Sequence, residues 1–306
     1  MNPSIKVIGA GGSGSNTISR IAKFNGKGVE LIAINTDAQA LHFCRSENKI
    51  LIGKNTTRGL GAGMDVNLGQ LAAEESKEEI AEGLRGADMV FITCGLGGGT
   101  GSGASPVIAE ISKNMGCLTI AVVTMPFSFE GEQRQKIAKS ALENLKDKVD
   151  SILVISNDNL LKIIDEKTTV SNAFILCDEI LHQAVGGITD LILVPGIINI
   201  DFASVVSVLK NSGRALFGVG RAAGENRAVE AAEKAINSPL LDFSIKGAKS
   251  VLFSAFGNDI TLNEISKSAE TITKNVDLKA KIIFGAVKDN NLKKGEIKIS
   301  VIATNF

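Results

Sequence analysis

Apolar runs and amphipathic stretches alternate through the first half of the chain. Short runs rich in Ile, Val and Leu predict strands at Ile5–Gly9, Glu30–Asn35, Lys49–Leu51, Met89–Thr93, Leu118–Thr124 and Ser151–Ser156. Between them, apolar residues recur every three or four positions and predict helices at about 14–24, 38–43, 67–84, 106–115 and 131–148. Strands that are apolar throughout, such as Met89–Thr93, suit a parallel sheet with helices on both faces. From Val170 to Leu193 the apolar residues Ala173, Cys177, Ile180, Ala184, Ile188 and Leu191 form one stripe, which predicts a long helix. Gly186-Gly187 interrupts it, and close packing explains the pair better than a bend does. Pro195-Gly196 ends it. After about residue 213 the rhythm changes. Strands are predicted at Arg214–Gly220, Ser250–Gly257, Ala280–Val287 and Glu296–Thr304, with helices near Asn226–Asn237 and Thr261–Asn275. The organisation expected is a Rossmann-like α/β domain over 1–169, a central helix over 170–194 and a smaller α+β domain over 195–306.

Two glycine loops interrupt this pattern where strands feed helices. Cys94-Gly-Leu-Gly-Gly-Gly-Thr-Gly-Ser-Gly103 holds six glycines in ten residues. A strand, a glycine loop and a helix together present bare backbone N–H groups and a helix N-terminus to phosphate oxygens. The first strand leads into a second such loop, Gly9-Ala-Gly-Gly-Ser-Gly-Ser-Asn16, whose Gly9, Gly11 and Gly14 satisfy the dinucleotide fingerprint. By itself that fingerprint suggests a nicotinamide or flavin enzyme, with Asp37 as the ribose acid. Two phosphate-grade loops suit a triphosphate better. The lysine-bearing P-loop motif does not occur. Backbone amides, helix ends and a metal ion must then neutralise the phosphates.

Composition removes several other classes. The 33 acidic and 33 basic residues balance, so bulk affinity for nucleic acid or anionic membranes is not expected. Trp and Tyr are absent, which argues against a base-stacking surface. No apolar run is long enough to span a bilayer, and the N-terminus enters a strand rather than a signal peptide. Cys44, Cys94, Cys117 and Cys177 are scattered and read as reduced thiols of a cytoplasmic protein. Neither Cys94 nor the two histidines, His42 and His182, suggests a catalytic or metal cluster.

The loops together resemble the FtsZ branch of the tubulin/FtsZ family, and the resemblance runs from Ile5 to Phe306. It is carried by Gly97-Gly-Gly-Thr-Gly-Ser-Gly103, Ile34-Asn-Thr-Asp37, Thr57-Arg-Gly-Leu-Gly-Ala-Gly63 and Pro126-Phe-Ser-Phe-Glu-Gly131. Gly224-Glu-Asn-Arg-Ala-Val-Glu-Ala-Ala232 and Ser238-Pro-Leu-Leu241 add to it. The resemblance implies a GTPase that polymerises head to tail with itself in the cytoplasm, at the division site, and binds GTP or GDP with Mg²⁺ bridging the phosphates. Gly11, Gly12, Asn16, Gly63, Gly99, Thr100 and Gly101 fall on phosphate positions, and the neighbouring Ser13, Gly14, Ser15, Gly95 and Gly98 complete the two loops. Glu130 and Arg134 fall on ribose positions, although their spacing alone reads as an exposed i,i+4 pair. Asn157, Phe174 and Asp178 fall on guanine positions. Phe174 and Asp178 share a helix face, and a carboxylate suits guanine, whose edge offers two adjacent donors that adenine lacks. No protein metal ligand is expected.

In the family a loop after the central helix completes the active site of the next subunit. That loop here is Asn199-Ile-Asp201-Phe-Ala-Ser204, with Asn199, Asp201 and Ser204 as the catalytic candidates. The family pattern has a second acid where Ser204 stands. A hydroxyl cannot accept a proton at neutral pH as a carboxylate does, so slow hydrolysis, or a filament former with almost none, is expected. The sequence given ends at Ile302-Ala-Thr-Asn-Phe306, so the family's C-terminal docking peptide is expected to be absent and division regulators would not bind through it.

Overall fold

The computed structural model describes residues 3–22, 28–161, 165, 168–238 and 244–306. The chain divides into two compact units, Met1–Val185 and Gly186–Phe306. In the first unit the strands are β1 (Ile5–Ala10), β2 (Val29–Asn35), β3 (Asn48–Leu51), β4 (Met89–Gly95), β5 (Leu118–Met125) and β6 (Ser151–Ser156). They lie in the order β3-β2-β1-β4-β5-β6, and every neighbouring pair is parallel. The chain runs outward from β1 to β3 and then crosses to β4 on the far side of β1. This reversal places the switch point between β1 and β4, the two strands that feed the glycine loops.

The helices of this unit are α1 (Gly11–Ile21), α2 (Ala38–Phe43), α3 (Val66–Glu75), α4 (Lys77–Leu84), α5 (Gly99–Asn114), α6 (Glu132–Lys146) and α7 (Asn157–Leu160). Ile8, Ile32, Ile34, Val90 and Ile92 of the strands share one buried cluster with Ala72, Leu84, Ala104 and Ile108 of the helices. Continuous apolar strands are what burial on both faces requires.

Three of the differences from the sequence expectation fall on the helices of the first unit. α1 begins at Gly11 and α5 at Gly99, rather than at about 14 and 106. Glycine's poor helix propensity makes both openings read as loop, yet tertiary packing holds them as first turns. The end predicted for the first helix, at residue 24, lies outside the described residues. The helix predicted over 67–84 is two helices, because Ser76 leaves helical geometry at φ −105° and ψ 20°, where its Oγ accepts a hydrogen bond from Gly53 N at 3.1 Å.

α8 (Val170–Leu193) runs through the boundary between the units. Its predicted stripe is buried from Ala173 to Leu191. A Cβ added at Gly187 would lie 2.5 Å from Phe217 Cζ, so close packing accounts for that glycine.

The second unit contains α9 (Phe202–Leu209), β7 (Gly213–Ala223), α10 (Arg227–Ile236), β8 (Ser250–Gly257), α11 (Leu262–Thr273), β9 (Lys281–Lys288) and β10 (Glu296–Thr304). Its strands lie in the order β7-β10-β8-β9, with β10 antiparallel to β7 and β8, and β8 parallel to β9. Phe253, Ile297, Ile299 and Val301 bury against the alanine face of α10.

A buried ion cluster joins the N-termini of α10 and α11. Arg227 donates from Nε to Glu264 Oε1 at 2.5 Å and from Nη1 to Asp259 Oδ1 at 2.7 Å. The hydrogen bond from Arg227, ahead of those from Thr261, pushes the Glu264 carboxyl down to about 2 from its ordinary 4.5. A depressed carboxyl stabilises the fold fully above its unfolded pKa and loses that contribution as pH falls through the folded one. Thermal unfolding at stepped pH is therefore expected to show wild type losing its margin over Glu264→Gln between about 4.5 and about 2. A margin that stays constant over this window would contradict the assignment.

Candidate nucleotide site

The glycines of the two loops divide into packing and ligand-facing positions. A Cβ at Gly14 would lie 2.7 Å from Thr93 O, so Gly14 lets α1 seat against β4. Gly11 has φ +72°, and its Cβ would lie 2.9 Å from Gly101 N. The first loop therefore abuts the second, and only glycine fits that left-handed position without strain. Added Cβ atoms at Gly99 and Gly103 would lie 2.8 Å from Asp65 O and 2.2 Å from Val66 O, so those two seat α3 against α5. Gly12 and Gly98 meet no protein atom within 4 Å and leave their backbone open on the cleft side.

Both helices that follow these loops have uncapped N-termini. Neither α1 nor α5 has a side-chain cap or an acid in its first turn. By contrast, Asp37 caps α2 by accepting from Ala40 N at 2.9 Å, and Asp65 caps α3 by accepting from Leu68 N at 3.1 Å. Asp37 is thus engaged as a cap and does not line the cleft described below, so nothing supports it as a ribose acid. Two uncapped helix ends offer unpaired N–H donors and a positive dipole end to one anion.

A cleft of about 530 Å³ opens at this point. It is lined by Gly12, Ser13, Asn16, Gly95, Gly98, Gly99, Thr100 and Gly101 of the two loops and by Asn157, Phe174 and Asp178. Glu130 and Arg134 also line it. Gly11, Gly14, Ser15 and Gly63 are not in its lining, and the first three are buried.

α8 brings an aromatic ring and a buried carboxylate to the cleft. Phe174 is 41% exposed and meets Phe127 edge-on at 5.5 Å between centroids; Phe127 in turn stacks on Phe129 at 4.9 Å. Asp178 is only 7% exposed. Its Oδ2 accepts from Arg20 Nε at 2.7 Å and its Oδ1 from Thr17 Oγ1 at 3.2 Å. Burial pushes the Asp178 carboxyl above its ordinary value, and the Arg20 charge and these hydrogen bonds pull it back. The amide oxygen of buried Asn157 has no hydrogen-bond partner. An unpaired buried acceptor is costly and marks a place where a ligand donor fits. Arg134 Nη1 lies 3.2 Å from Glu130 Oε2, the i,i+4 pair that spacing predicts, here set in the cleft wall.

The sequence reading missed Arg20 and Thr17. The signal was present: Arg20 stands four residues after Asn16, on the same face of α1. Cys94 is buried and its thiol is pushed up to about 11 by burial, so it is inert at neutral pH. Among the described residues no cluster of His, Cys, Asp or Glu is placed to hold a metal ion, and no helix is long and apolar enough to cross a membrane.

Asn199, Asp201 and Ser204 belong to the second unit. Asn199 Oδ1 accepts from Gly196 N and Asp201 Oδ1 from Ser204 N, each at 2.6 Å. Asp201 is the N-cap of α9, and hydrogen bonds from Ser204 hold its carboxyl below the usual range.

A parallel sheet that opens at its switch point between two uncapped, glycine-led helices defines a nucleotide-binding class of α/β protein. Residues 4–165 match the family model for the GTPase domain of the tubulin/FtsZ family, and residues 213–306 match that for the C-terminal domain of the FtsZ family. The chain belongs to the tubulin/FtsZ family. A solved FtsZ dimer from M. jannaschii is 46% identical, with a TM-score of 0.93, over 99% of this chain and 88% of that one. CetZ2 from Haloferax volcanii, solved as a GTPγS-bound protofilament, shares the fold at 22% identity and a TM-score of 0.84, over 98% of this chain and 92% of that one.

Proposed function

We propose that this protein is a cytoskeletal GTPase of cell division. GTP-loaded subunits join head to tail in the cytoplasm, and the loop Asn199–Ser204 of one subunit completes the active site over the nucleotide of the next. The observation that carries this reading is that, among the described residues, both acids lining the cleft are already engaged. Glu130 and Asp178 are the acids that line it; Glu130 is held by Arg134 and by Phe127 N, and Asp178 by Arg20 and Thr17. With both acids so engaged, a second subunit that supplies the group handling the attacking water fits the described lining. Gly12, Gly98 and the N-termini of α1 and α5 hold the phosphates, Glu130 and Arg134 the ribose, and Asn157, Phe174 and Asp178 the guanine. Among the described residues of α1 and α5, the cleft lining offers Ser13, Asn16 and Thr100 but no carboxylate, so Mg²⁺ would come with the nucleotide rather than with a protein cage. When bound, the ion would neutralise charge on the β- and γ-phosphates.

Asp201 is ionised at neutral pH, but its lowered pKa makes it a weak proton acceptor. Its role in this loop is to orient water, which is much of what phosphoryl transfer requires. Ser204 favours a second reading, in which the protein assembles on GTP and hydrolyses it very slowly. Steady-state phosphate release, measured across protein concentration beside right-angle light scattering, separates the two. Release that begins with scattering above a threshold supports the shared active site, and scattering without release supports the scaffold. Neither signal, in the presence of GTP and Mg²⁺, would overturn assembly.

A further inference from the structure

The contact between Arg20 and Asp178 goes beyond the nucleotide reading and rests on it. Asp178 sits on α8 at 7% exposure, where a lone carboxylate would be strongly disfavoured. Arg20 reaches it from α1, with its side chain 29% exposed and its Nε 2.7 Å from Oδ2. Thr17 Oγ1, one turn earlier on α1, takes Oδ1 at 3.2 Å. Each oxygen thus accepts one bond and keeps a lone pair, because an ionised carboxylate offers about four acceptor sites.

We propose that Arg20 is a positioning residue of the base pocket, which keeps Asp178 charged and aimed so that its remaining lone pairs require two adjacent donors on the ligand. A neutral Asp178 would be a donor and acceptor in one, and would no longer select a base edge of two N–H groups. Arg20 acts through Asp178, so its loss is distinguishable from general damage by its dependence on pH. Without Arg20 the burial of the carboxyl is opposed only by Thr17, and protonation moves toward neutral pH. The other charged groups of the cleft, Glu130 and Arg134, pair with each other. On α8, Glu179 Oε1 lies 3.9 Å from His182 Nδ1, and Cys177, pushed up to about 12 chiefly by burial, stays neutral.

The test is GDP affinity of wild type, Arg20→Gln and Arg20→Lys between about pH 5.5 and about pH 8. Dividing variant by wild-type Kd at each pH cancels titration of the nucleotide phosphate. For Arg20→Gln the ratio is expected to climb as pH falls, by up to about tenfold per pH unit once the carboxyl titrates. For Arg20→Lys, which keeps the charge, it should stay flat. A flat ratio for Arg20→Gln, or a ratio that climbs equally for Arg20→Lys, would overturn the proposal. Absence of GDP binding by wild type at every pH would instead overturn the guanine reading of the cleft.

Discussion

Replacing Asp178 by Ala is expected to weaken GDP binding by about 10²–10³-fold, from the loss of two hydrogen bonds to a charged group at about 1.5–3 kcal/mol each. The estimate takes the low to middle part of that range, because Asp178 also makes bonds within the protein. Its carboxylate already answers Arg20 and Thr17, and its loss strands a partly buried guanidinium in the cleft wall. Adenine offers no matching pair of donors, so the weak binding of ADP should change little. Isothermal titration with both nucleotides checks this, and thermal unfolding of the variant shows whether the fold has survived. A drop of less than about threefold for GDP in a folded variant would remove Asp178 as the base acceptor.

Ser204→Asp is expected to raise GTP turnover under assembling conditions by up to about 10²–10⁴-fold, the usual contribution of a positioned general base. The structure adds a reason for a gain. Ser204 stands at the third position of α9, where hydrogen bonds from it lower the Asp201 carboxyl from its ordinary value. An acid at 204 removes the hydroxyl donor, raises the proton affinity of Asp201 and supplies a second acceptor. It also places negative charge in the first turn of α9, which the helix dipole favours, so the substitution should not unfold the loop. Phosphate release at matched light scattering is the measurement. Unchanged turnover with normal assembly would mean that another step limits the rate.

Much of this molecule is legible in the sequence because its signals are local. A strand covered on both faces must be apolar throughout, and Met89–Gly95 and Leu118–Met125 stand within a residue or two of where their composition put them. The stripe of α8 was readable because one helix face is buried along its length. Helix starts were less legible. Gly11 and Gly99 lower helix propensity, yet each heads a helix because two backbones must meet there at distances that a Cβ forbids. Ser76 looked like any polar helix residue, and only its bond to Gly53, 23 residues away in sequence, explains the break.

The candidate site shows the same division. Sequence by itself determined which residue types are available: two glycine loops after buried strands, and an aromatic and an acid four apart on one helix. These follow from composition and spacing, which local backbone geometry converts directly into faces and turns. Only the tertiary structure decided which glycines line the cleft and which seat a neighbouring helix, and that Asp37 caps α2 rather than facing the cleft. It also decided that Arg20 of α1 meets Asp178 of α8 across 158 residues of chain. Contacts of that separation depend on strand order and helix packing. A carboxylate's charge, partner and availability are set by the neighbours that burial brings to it, and the local sequence does not contain them.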